Sequence, residues 1–217
     1  MITQDLFLFL IELKNNNHKP WFDANNDRYQ ALRKSFLAFS EEMIAKVSLF
    51  DESIIGINPK KTMFRINRDI RFSKNKAPYK SNFGASISEG KGDAPGYYVH
   101  IEPDACFLAG GCYMPMPEDL AKIRNYIDAT GEELRQITEN ADFVREYGVL
   151  QGERLKSAPK GYPKDHAQAD LLAMKGFFVS HKVTEEQVCS PDFPEYAAKV
   201  FKALLPLNDF LRAAVSK

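Results

Sequence analysis

The sequence predicts an α+β protein with a mainly antiparallel sheet and helices at both chain ends, formed by a single domain over residues 1–217. Two observations carry this prediction. Apolar residues recur at helical spacing near both ends of the chain, whereas alternation typical of strands occupies the middle. The 217 residues are 44% hydrophobic and 27% charged, which is ordinary for one globular domain. Aromatic residues make up 12% of the chain, which excludes disorder as its main state.

Helical periodicity and capping residues predict the helices. The first is short, and the second follows Pro20 and is long enough to break once. Gly131 is expected to end one helix just before another starts, and Pro206 is expected to interrupt the last one. The predicted helices cover about residues 3–13, 21–50, 118–130, 132–147, 168–174 and 192–214.

Alternation predicts the strands. Residues 97–102 and 106–113 flank a Pro-Asp turn and form the clearest hairpin, and residues 177–184 are a further candidate. Residues 64–72 also alternate, and residues 73–95 are expected to form a long ordered loop. In 64–72 one face should be buried (Phe64, Ile66, Ile70, Phe72) and the other polar (Arg65, Asn67, Asp69, Arg71).

Arg68 falls on the apolar side of this alternation. On a regular strand its charge would be buried, and a buried charge without a partner costs several kcal/mol. We therefore expect a carboxylate partner, with Glu102 on a neighbouring predicted strand as the first candidate.

Cysteine usage and the N-terminal segment favour a cytoplasmic protein. Three cysteines in a chain of this length indicate reduced thiols rather than a disulfide framework. The first residues contain Asp5 and Glu12 and lack the basic start and cleavage site of a signal peptide. No apolar run approaches the roughly 20 residues of a membrane span, so no membrane partner is predicted.

Sequence motifs for common chemistries are missing. The chain has no GxGxxG, no GxxxxGK[ST], no GxSxG and no HExxH, and its four histidines lack ligand-like spacing. We predict no metal and no cofactor, and catalytic residues stay unassigned. His100 is expected to be structural, and Cys106 and Cys112 are expected to be buried small hydrophobes rather than catalytic thiols.

The charge distribution locates the candidate site. Residues 60–80 carry eight basic side chains and one acidic one, whereas residues 81–150 carry five basic and twelve acidic ones. On a strand, Arg65, Asn67, Asp69 and Arg71 would follow one another about every 6.7 Å. Guanidinium groups bind phosphate and carboxylate bidentately, so this row predicts a small anionic ligand. The predicted ligand-binding residues are Arg65, Arg68, Asp69, Arg71, Lys76, Tyr79, Lys80 and Lys160.

Lys160 enters this set through a second segment. Residues 155–162 read LKSAPKGY and present a lysine in a Pro-Lys-Gly turn. We predict that residues 65–80 and 156–162 line one shared cleft. A solvated lysine loop is the alternative for 156–162.

Two other functions compete with ligand binding. In the first, the arginines form an internal salt network with the acidic 81–150 segment. In the second, the basic stretch binds nucleic acid, which a pI of about 6.9 disfavours. A steep dependence of binding on salt would indicate several phosphate contacts, and a shallow one a single anchored anion. The sequence leaves the oligomeric state open.

Several motifs together resemble a known family. NNNHKPWF (15–22) and FRINRDIRFSKNKAPYKSNFGA (64–85) are joined by GYYVHIEP (96–103), GGCYMP (110–115), LKSAPKGY (155–162) and PLNDFL (206–211). The chain is similar over nearly its whole length to the conserved hypothetical family known as domain of unknown function 2461. This resemblance implies a single cytosolic α+β domain and assigns no activity, substrate or catalytic residue.

Overall fold

The computed structural model of the protein describes residues 1–89 and 94–216. Over these residues the chain is α+β, as predicted, and its four strands form an antiparallel sheet in the order β1-β2-β3-β4. The strands are β1 (Phe83–Ile87), β2 (Gly96–Ile101), β3 (Phe107–Cys112) and β4 (Phe177–Lys182). The helices before the sheet are α1 (Gln4–Asn15), α2 (Lys19–Ala24), α3 (Asn26–Val47), a 3-10 turn (Glu52–Ile54) and α4 (Pro59–Thr62). The later helices are α5 (Pro117–Thr138), α6 (Ala141–Tyr147), α7 (Ala169–Leu172), α8 (Glu185–Cys189) and α9 (Phe193–Ser216).

The described chain forms two compact units. Unit 1 comprises Met1–Ile87, Tyr98–Leu108 and Lys182–Lys199, and unit 2 comprises Ser88–Tyr97, Ala109–His181 and Val200–Lys217. The assignment of residues 1–217 to a single domain stays a prediction.

Unit 1 buries the apolar stripes of α1 and α3. Phe9 and Leu10 of α1 are inaccessible to solvent, and Phe36 of α3 packs against Phe83 of β1 with ring centroids 5.3 Å apart. The long predicted helix does break once, at Asn25, which separates α2 from α3. In this unit the helical stripes therefore pack as their periodicity predicts.

Asn208 organises unit 2. Its buried side-chain amide donates to the Gly96 carbonyl (3.2 Å), and its carbonyl oxygen accepts from the Gly111 amide (3.2 Å). Neighbouring Gly110 has no room for a side chain, because a Cβ there would lie 2.4 Å from the Gly96 carbonyl oxygen. The motifs 96–103, 110–115 and 206–211 thus meet at the side-chain amide of Asn208, and their role here is packing.

The structure corrects several predicted element boundaries. The predicted break beside Gly131 is present as a kink at Thr130, whose backbone is non-helical (φ −136°, ψ 20°), so that α5 consists of two helical segments. Pro206, in contrast, lies inside α9. The predicted loop 73–95 contains β1, and its residues 90–93 lie outside the described chain. At Pro206, tertiary packing therefore outweighs a single helix-breaking residue.

The prediction of a strand over residues 64–72 is wrong. The segment contains one isolated bridge, between Asn67 and Tyr79, and a second bridge joins the preceding Met63 to Ala85. Its pairing partner changes, because the Phe64 amide donates to Gly84 of β1, whereas the Arg68 amide donates to the Pro78 carbonyl. Pro78 has no amide hydrogen to donate back to the Arg68 carbonyl, so no continuous ladder of backbone hydrogen bonds forms.

The predicted burial pattern of residues 64–72 fails with the strand. Ile66 is buried and Ile70 is half-buried, but Phe64 is 51% exposed and Phe72 is 95% exposed. Without a continuous strand, the two-residue period no longer determines which side chains face the core.

Candidate functional site

Tyr79 fixes the base of the basic loop, by which we mean residues 67–79. The side-chain amide of Asn17 donates to the Tyr79 carbonyl (3.0 Å), and its oxygen accepts from the Tyr79 amide (3.0 Å). The Tyr79 ring is buried and stacks on Phe22 with centroids 4.1 Å apart. Tyr79 was predicted as a ligand-binding residue, but its contacts give its ring and backbone an anchoring role. The motifs 15–22 and 64–85 therefore meet at this residue.

The predicted arginine row is largely occupied by its own loop. Arg71 forms a bidentate pair with Asp69 (Nη2–Oδ2 2.7 Å and Nε–Oδ1 3.0 Å). Hydrogen bonds from the Arg71 side chain and backbone hold the pKa of Asp69 below its ordinary value. Arg71 also lies over the exposed Phe72 ring, 5.8 Å from its centroid. The charge of Arg71 is thus balanced within the basic loop.

Arg68 and Lys76 bind backbone oxygens instead of carboxylates. Arg68 is half-buried, and its guanidinium donates to the Ala77 carbonyl (3.1 Å) and to Ser73 Oγ (3.4 Å). Lys76 Nζ donates to the Ile70 carbonyl (3.0 Å). The expected pairing of Arg68 with Glu102 is wrong, because without a regular strand Arg68 does not reach β2.

Arg65 and Lys80 form what we call the cation pair. Among the described residues, neither has a carboxylate within ion-pair distance. Burial lowers the pKa of Lys80, and the positive charge of Arg65 lowers it further. Lys80 Nζ lies 5.1 Å from the centroid of the Phe64 ring. Two like charges therefore act on each other here without an ion-paired carboxylate, although the charge of Arg65 also contributes to the lowered pKa of Asp69.

A row of polar side chains crosses the outer face of β2. Tyr97, Val99 and Ile101 are buried on the core side, so the two-residue period puts the alternate residues on the opposite face. We call Tyr98, His100 and Glu102, together with Ser81, the polar row.

Hydrogen bonds connect the whole polar row. Tyr98 Oη lies 2.8 Å from His100 Nδ1, His100 Nε2 lies 3.1 Å from Glu102 Oε2, and Ser81 Oγ donates to Glu102 Oε1 (2.9 Å). A carboxylate only accepts, so the contact with Glu102 requires a proton on His100 Nε2. When the ring is neutral, Nδ1 is an acceptor and the Tyr98 hydroxyl donates to it. In that tautomer the direction of donation runs from tyrosine to histidine to glutamate.

Packing around the polar row fixes its geometry. The His100 ring stacks on Phe107 (4.6 Å, 13°), and Phe64 contacts Tyr98 edge-on (5.9 Å). Gly84 of β1 makes room for the tyrosine, because a Cβ there would lie 2.7 Å from Tyr98 Oη. Burial, followed by the negative charge of Glu102, raises the pKa of Tyr98 to about 12. The hydroxyl is therefore protonated at neutral pH.

Phe64 contacts both the polar row and the cation pair. Its ring contacts the Tyr98 ring edge-on, and Lys80 Nζ lies over its face. Tyr98 of the polar row and the Lys80 ammonium group of the cation pair therefore lie against one half-exposed phenylalanine in unit 1.

Sequence reasoning missed this role for β2. It treated His100 as a lone structural histidine, although the polar parity of the predicted strand 97–102 reads Tyr98, His100, Glu102. That parity was the available signal, because same-face neighbours two residues apart can be hydrogen-bonded along a strand.

Lys160 lies in unit 2 and is exposed in a turn where Gly161 has a φ of 99°. Nearby, Tyr162 donates to Asn125 Oδ1 (2.8 Å) and His166 lies 2.9 Å from Asp128 Oδ1. The shared cleft of 65–80 and 156–162 stays a prediction.

Other candidate chemistry is limited in the part of the chain that the structure describes. No cluster of three or more histidine, cysteine or acidic side chains there could hold a metal, and no helix is long and apolar enough to cross a membrane. Cys106 and Cys112 are buried, as expected. Burial raises the pKa of Cys106 to about 11, so its thiol is protonated at neutral pH.

The fold and the site define an α+β protein with a cation pair beside a hydrogen-bonded polar row. The sequence profile of the conserved hypothetical protein family DUF2461 matches residues 5–210. The chain belongs to this family. Comparison with curated proteins and comparison with solved structures gave no match.

Proposed function

We propose that this protein binds a small anionic ligand, anchored by a phosphate or carboxylate group, at the cation pair beside the polar row. The observation that carries the proposal is the cation pair itself. Arg65 and Lys80 repel each other, and a bound anion would relieve this repulsion. Such electrostatic cost is typical of functional sites.

Arg65 and Lys80 have complementary roles in this proposal. Arg65 is exposed, so its guanidinium can form a bidentate contact with an incoming oxyanion. Lys80 is partly desolvated over Phe64, which strengthens its interaction with an anion relative to a fully hydrated lysine. Tyr98 and His100 would contact the remainder of the ligand.

The arginine row contributes differently from the sequence-based expectation. Arg71 with Asp69, and Arg68 and Lys76 with backbone oxygens, support the alternative of an internal network for this part of the segment. We assign these four residues to the scaffold of the loop and retain Arg65 and Lys80 as the anchors. We also propose a cytoplasmic location, which rests on the reduced cysteines.

A binding experiment with inorganic phosphate tests the proposal. Phosphate at about 100 times its dissociation constant would add roughly 2.7 kcal/mol to the free energy of unfolding, which a thermal-shift assay detects. Arg65→Gln and Lys80→Gln should each weaken binding about 10- to 100-fold, since a charge-assisted hydrogen bond contributes roughly 1.5–3 kcal/mol.

Arg71→Gln is the matched control, because it removes one positive charge from the same segment while leaving the cation pair intact. It should keep the phosphate-dependent shift. Equal losses in Arg71→Gln and Arg65→Gln would refute a localised site, and a steep salt dependence with an oligonucleotide would favour nucleic-acid binding instead.

A further inference from the structure

We propose that Tyr98 is a catalytic hydroxyl activated by His100, and that it accepts an acyl or phosphoryl group from a substrate whose anionic group is held by Arg65 and Lys80. The inference rests on the proposed function for its substrate class. Its activation chemistry depends only on the polar row.

The connectivity of the polar row is that of an activated nucleophile. In the neutral tautomer with the proton on Nε2, the hydroxyl donates to Nδ1 of the imidazole, and Nε2 donates to a carboxylate. A general base must lie within hydrogen-bond reach of the proton it removes, and 2.8 Å between Tyr98 Oη and His100 Nδ1 meets this requirement.

The order of the groups decides where the charge goes. Because Glu102 accepts from Nε2, the free lone pair of His100 is on Nδ1 and faces the tyrosine hydroxyl. Ser81 donates to the other oxygen of Glu102, and Phe107 holds the imidazole plane by stacking. Each group that takes part in the proton transfer is therefore oriented by a second contact, as preorganised catalytic groups require.

The proposed step balances as follows. The Tyr98 oxygen forms a bond to the electrophilic carbon or phosphorus as its O–H bond breaks, and His100 Nδ1 receives the proton. The resulting imidazolium is stabilised by Glu102, for which we infer a positioning role. The leaving group departs with its electron pair and takes the proton from Nδ1, which returns His100 to the neutral form.

The protonation of Tyr98 at rest fits this step. Burial keeps the hydroxyl neutral, so the oxygen becomes nucleophilic only while His100 withdraws the proton. A purely structural tyrosine in the same place would be unreactive, because without proton withdrawal by the imidazole its phenolate is scarce at neutral pH. Relative reactivity therefore separates the two roles.

The test is covalent labelling of the full chain with p-nitrophenyl acetate, followed by mass mapping of the labelled tyrosines. The probe is uncharged, so it does not require the cation pair. Tyr113 is 60% exposed and serves as the internal reference. We expect Tyr98 to be acetylated faster than Tyr113, whereas burial alone predicts the reverse order.

Two variants identify the source of the reactivity. His100→Gln should lower the labelling rate of Tyr98 on the order of 100-fold, the usual contribution of a general base, and leave that of Tyr113 unchanged. Glu102→Gln should lower it less and should redistribute the proton between the two His100 nitrogens, which nitrogen-15 NMR detects.

Parallel labelling with p-nitrophenyl phosphate distinguishes phosphoryl from acyl transfer, and transfer from either probe supports the proposal. Slower labelling of Tyr98 than of Tyr113 by both probes would overturn it, as would an unchanged Tyr98 rate in a folded His100→Gln. Acetylation of Tyr98 without phosphate binding at Arg65 and Lys80 would uphold the activated hydroxyl and refute the proposed anion site.

Discussion

Residues 64–72 and 97–102 both alternate between two side-chain classes, with Arg68 as the exception in the first, but only the second segment forms a strand. Residues 97–101 lie in β2, between β1 and β3, so both edges of the strand are paired. Residues 64–72 bond first to Gly84 and then to Pro78, without a continuous partner. Alternation therefore predicts sidedness only where a neighbouring strand supplies an uninterrupted ladder.

The same difference separates the polar row on β2 from the arginine row of residues 64–72. The row on β2 has a fixed spacing, a buried opposite face and hydrogen bonds in one direction. The arginine row, without a strand beneath it, folds back on its own loop, where Arg71 binds Asp69 and Lys76 binds the Ile70 carbonyl. For this reason we place the reactive groups on β2 and the structural ion pair in the basic loop.

The largest expected effect concerns Tyr79, which was predicted to bind the ligand, and its contrast with Phe72, which was predicted to lie on a buried strand face. Tyr79→Ala should lower the free energy of unfolding by about 3–5 kcal/mol, because it removes a buried ring stacked on Phe22. Phe72→Ala should change it by less than about 0.5 kcal/mol, because that ring is exposed. Urea denaturation measures both free energies of unfolding. Similar losses in the two variants would contradict the assignment of Tyr79 as a buried anchor and of Phe72 as an exposed side chain.

A smaller effect is expected where β1 faces the polar row. Gly84→Ala should destabilise the protein by about 1–3 kcal/mol, because the added Cβ would meet Tyr98 Oη and the Phe64 ring. In a Tyr98→Phe background the cost should fall without vanishing, since the hydroxyl contact disappears and the ring contacts remain. Thermal denaturation of the four proteins of this double-mutant cycle tests the packing, and strict additivity would contradict it.

The link between the two N-terminal motifs should contribute somewhat less. Asn17→Ala removes both hydrogen bonds to the Tyr79 backbone and should cost about 1–2 kcal/mol. Asn16→Ala is the control, because its exposed amide bonds only to the Glu12 carbonyl one helical turn away. Chemical denaturation should rank Asn17→Ala as the more destabilising change, and the opposite ranking would disprove the link.

The smallest effect is expected at the exposed ion pair of the loop. Arg71→Gln should leave the melting temperature unchanged, because exposed ion pairs are screened by solvent. It should nevertheless raise the pKa of Asp69 towards its ordinary value, since Arg71 is the main cause of its lowering. Carbon-13 NMR titration of the carboxyl group measures this shift, and an unchanged Asp69 pKa would show that the pair does not persist in solution.

Local patterns in the sequence were sufficient for most of the fold. Helix periodicity located α1, α3 and α9, and the Pro-Asp turn located the β2–β3 hairpin. Pairing was the part they could not predict. β1, with the sequence FGASI, was assigned to a loop, because its glycine and serine residues lower strand propensity although four of its five residues are buried.

The candidate site was predicted only in part. Charge density pointed to residues 60–80 and so to Arg65 and Lys80, but charge alone cannot distinguish a free arginine from one paired two residues away. Tyr79 was included for its ring, which is buried and stacks on Phe22. To predict the polar row, one must recognise that Tyr98, His100 and Glu102 share one face of β2 and that Ser81 approaches from a distant segment.

Inorganic phosphate titrated into nitrogen-15-labelled protein tests the central claim most directly, because it locates the bound anion residue by residue. The account predicts that the amide signals of Arg65, Lys80 and β2 residues 98–100 shift in a saturable manner, while those of Arg71, Lys74 and Lys76 do not. Saturable shifts confined to residues 71–76, or no saturable shifts at all, would contradict it.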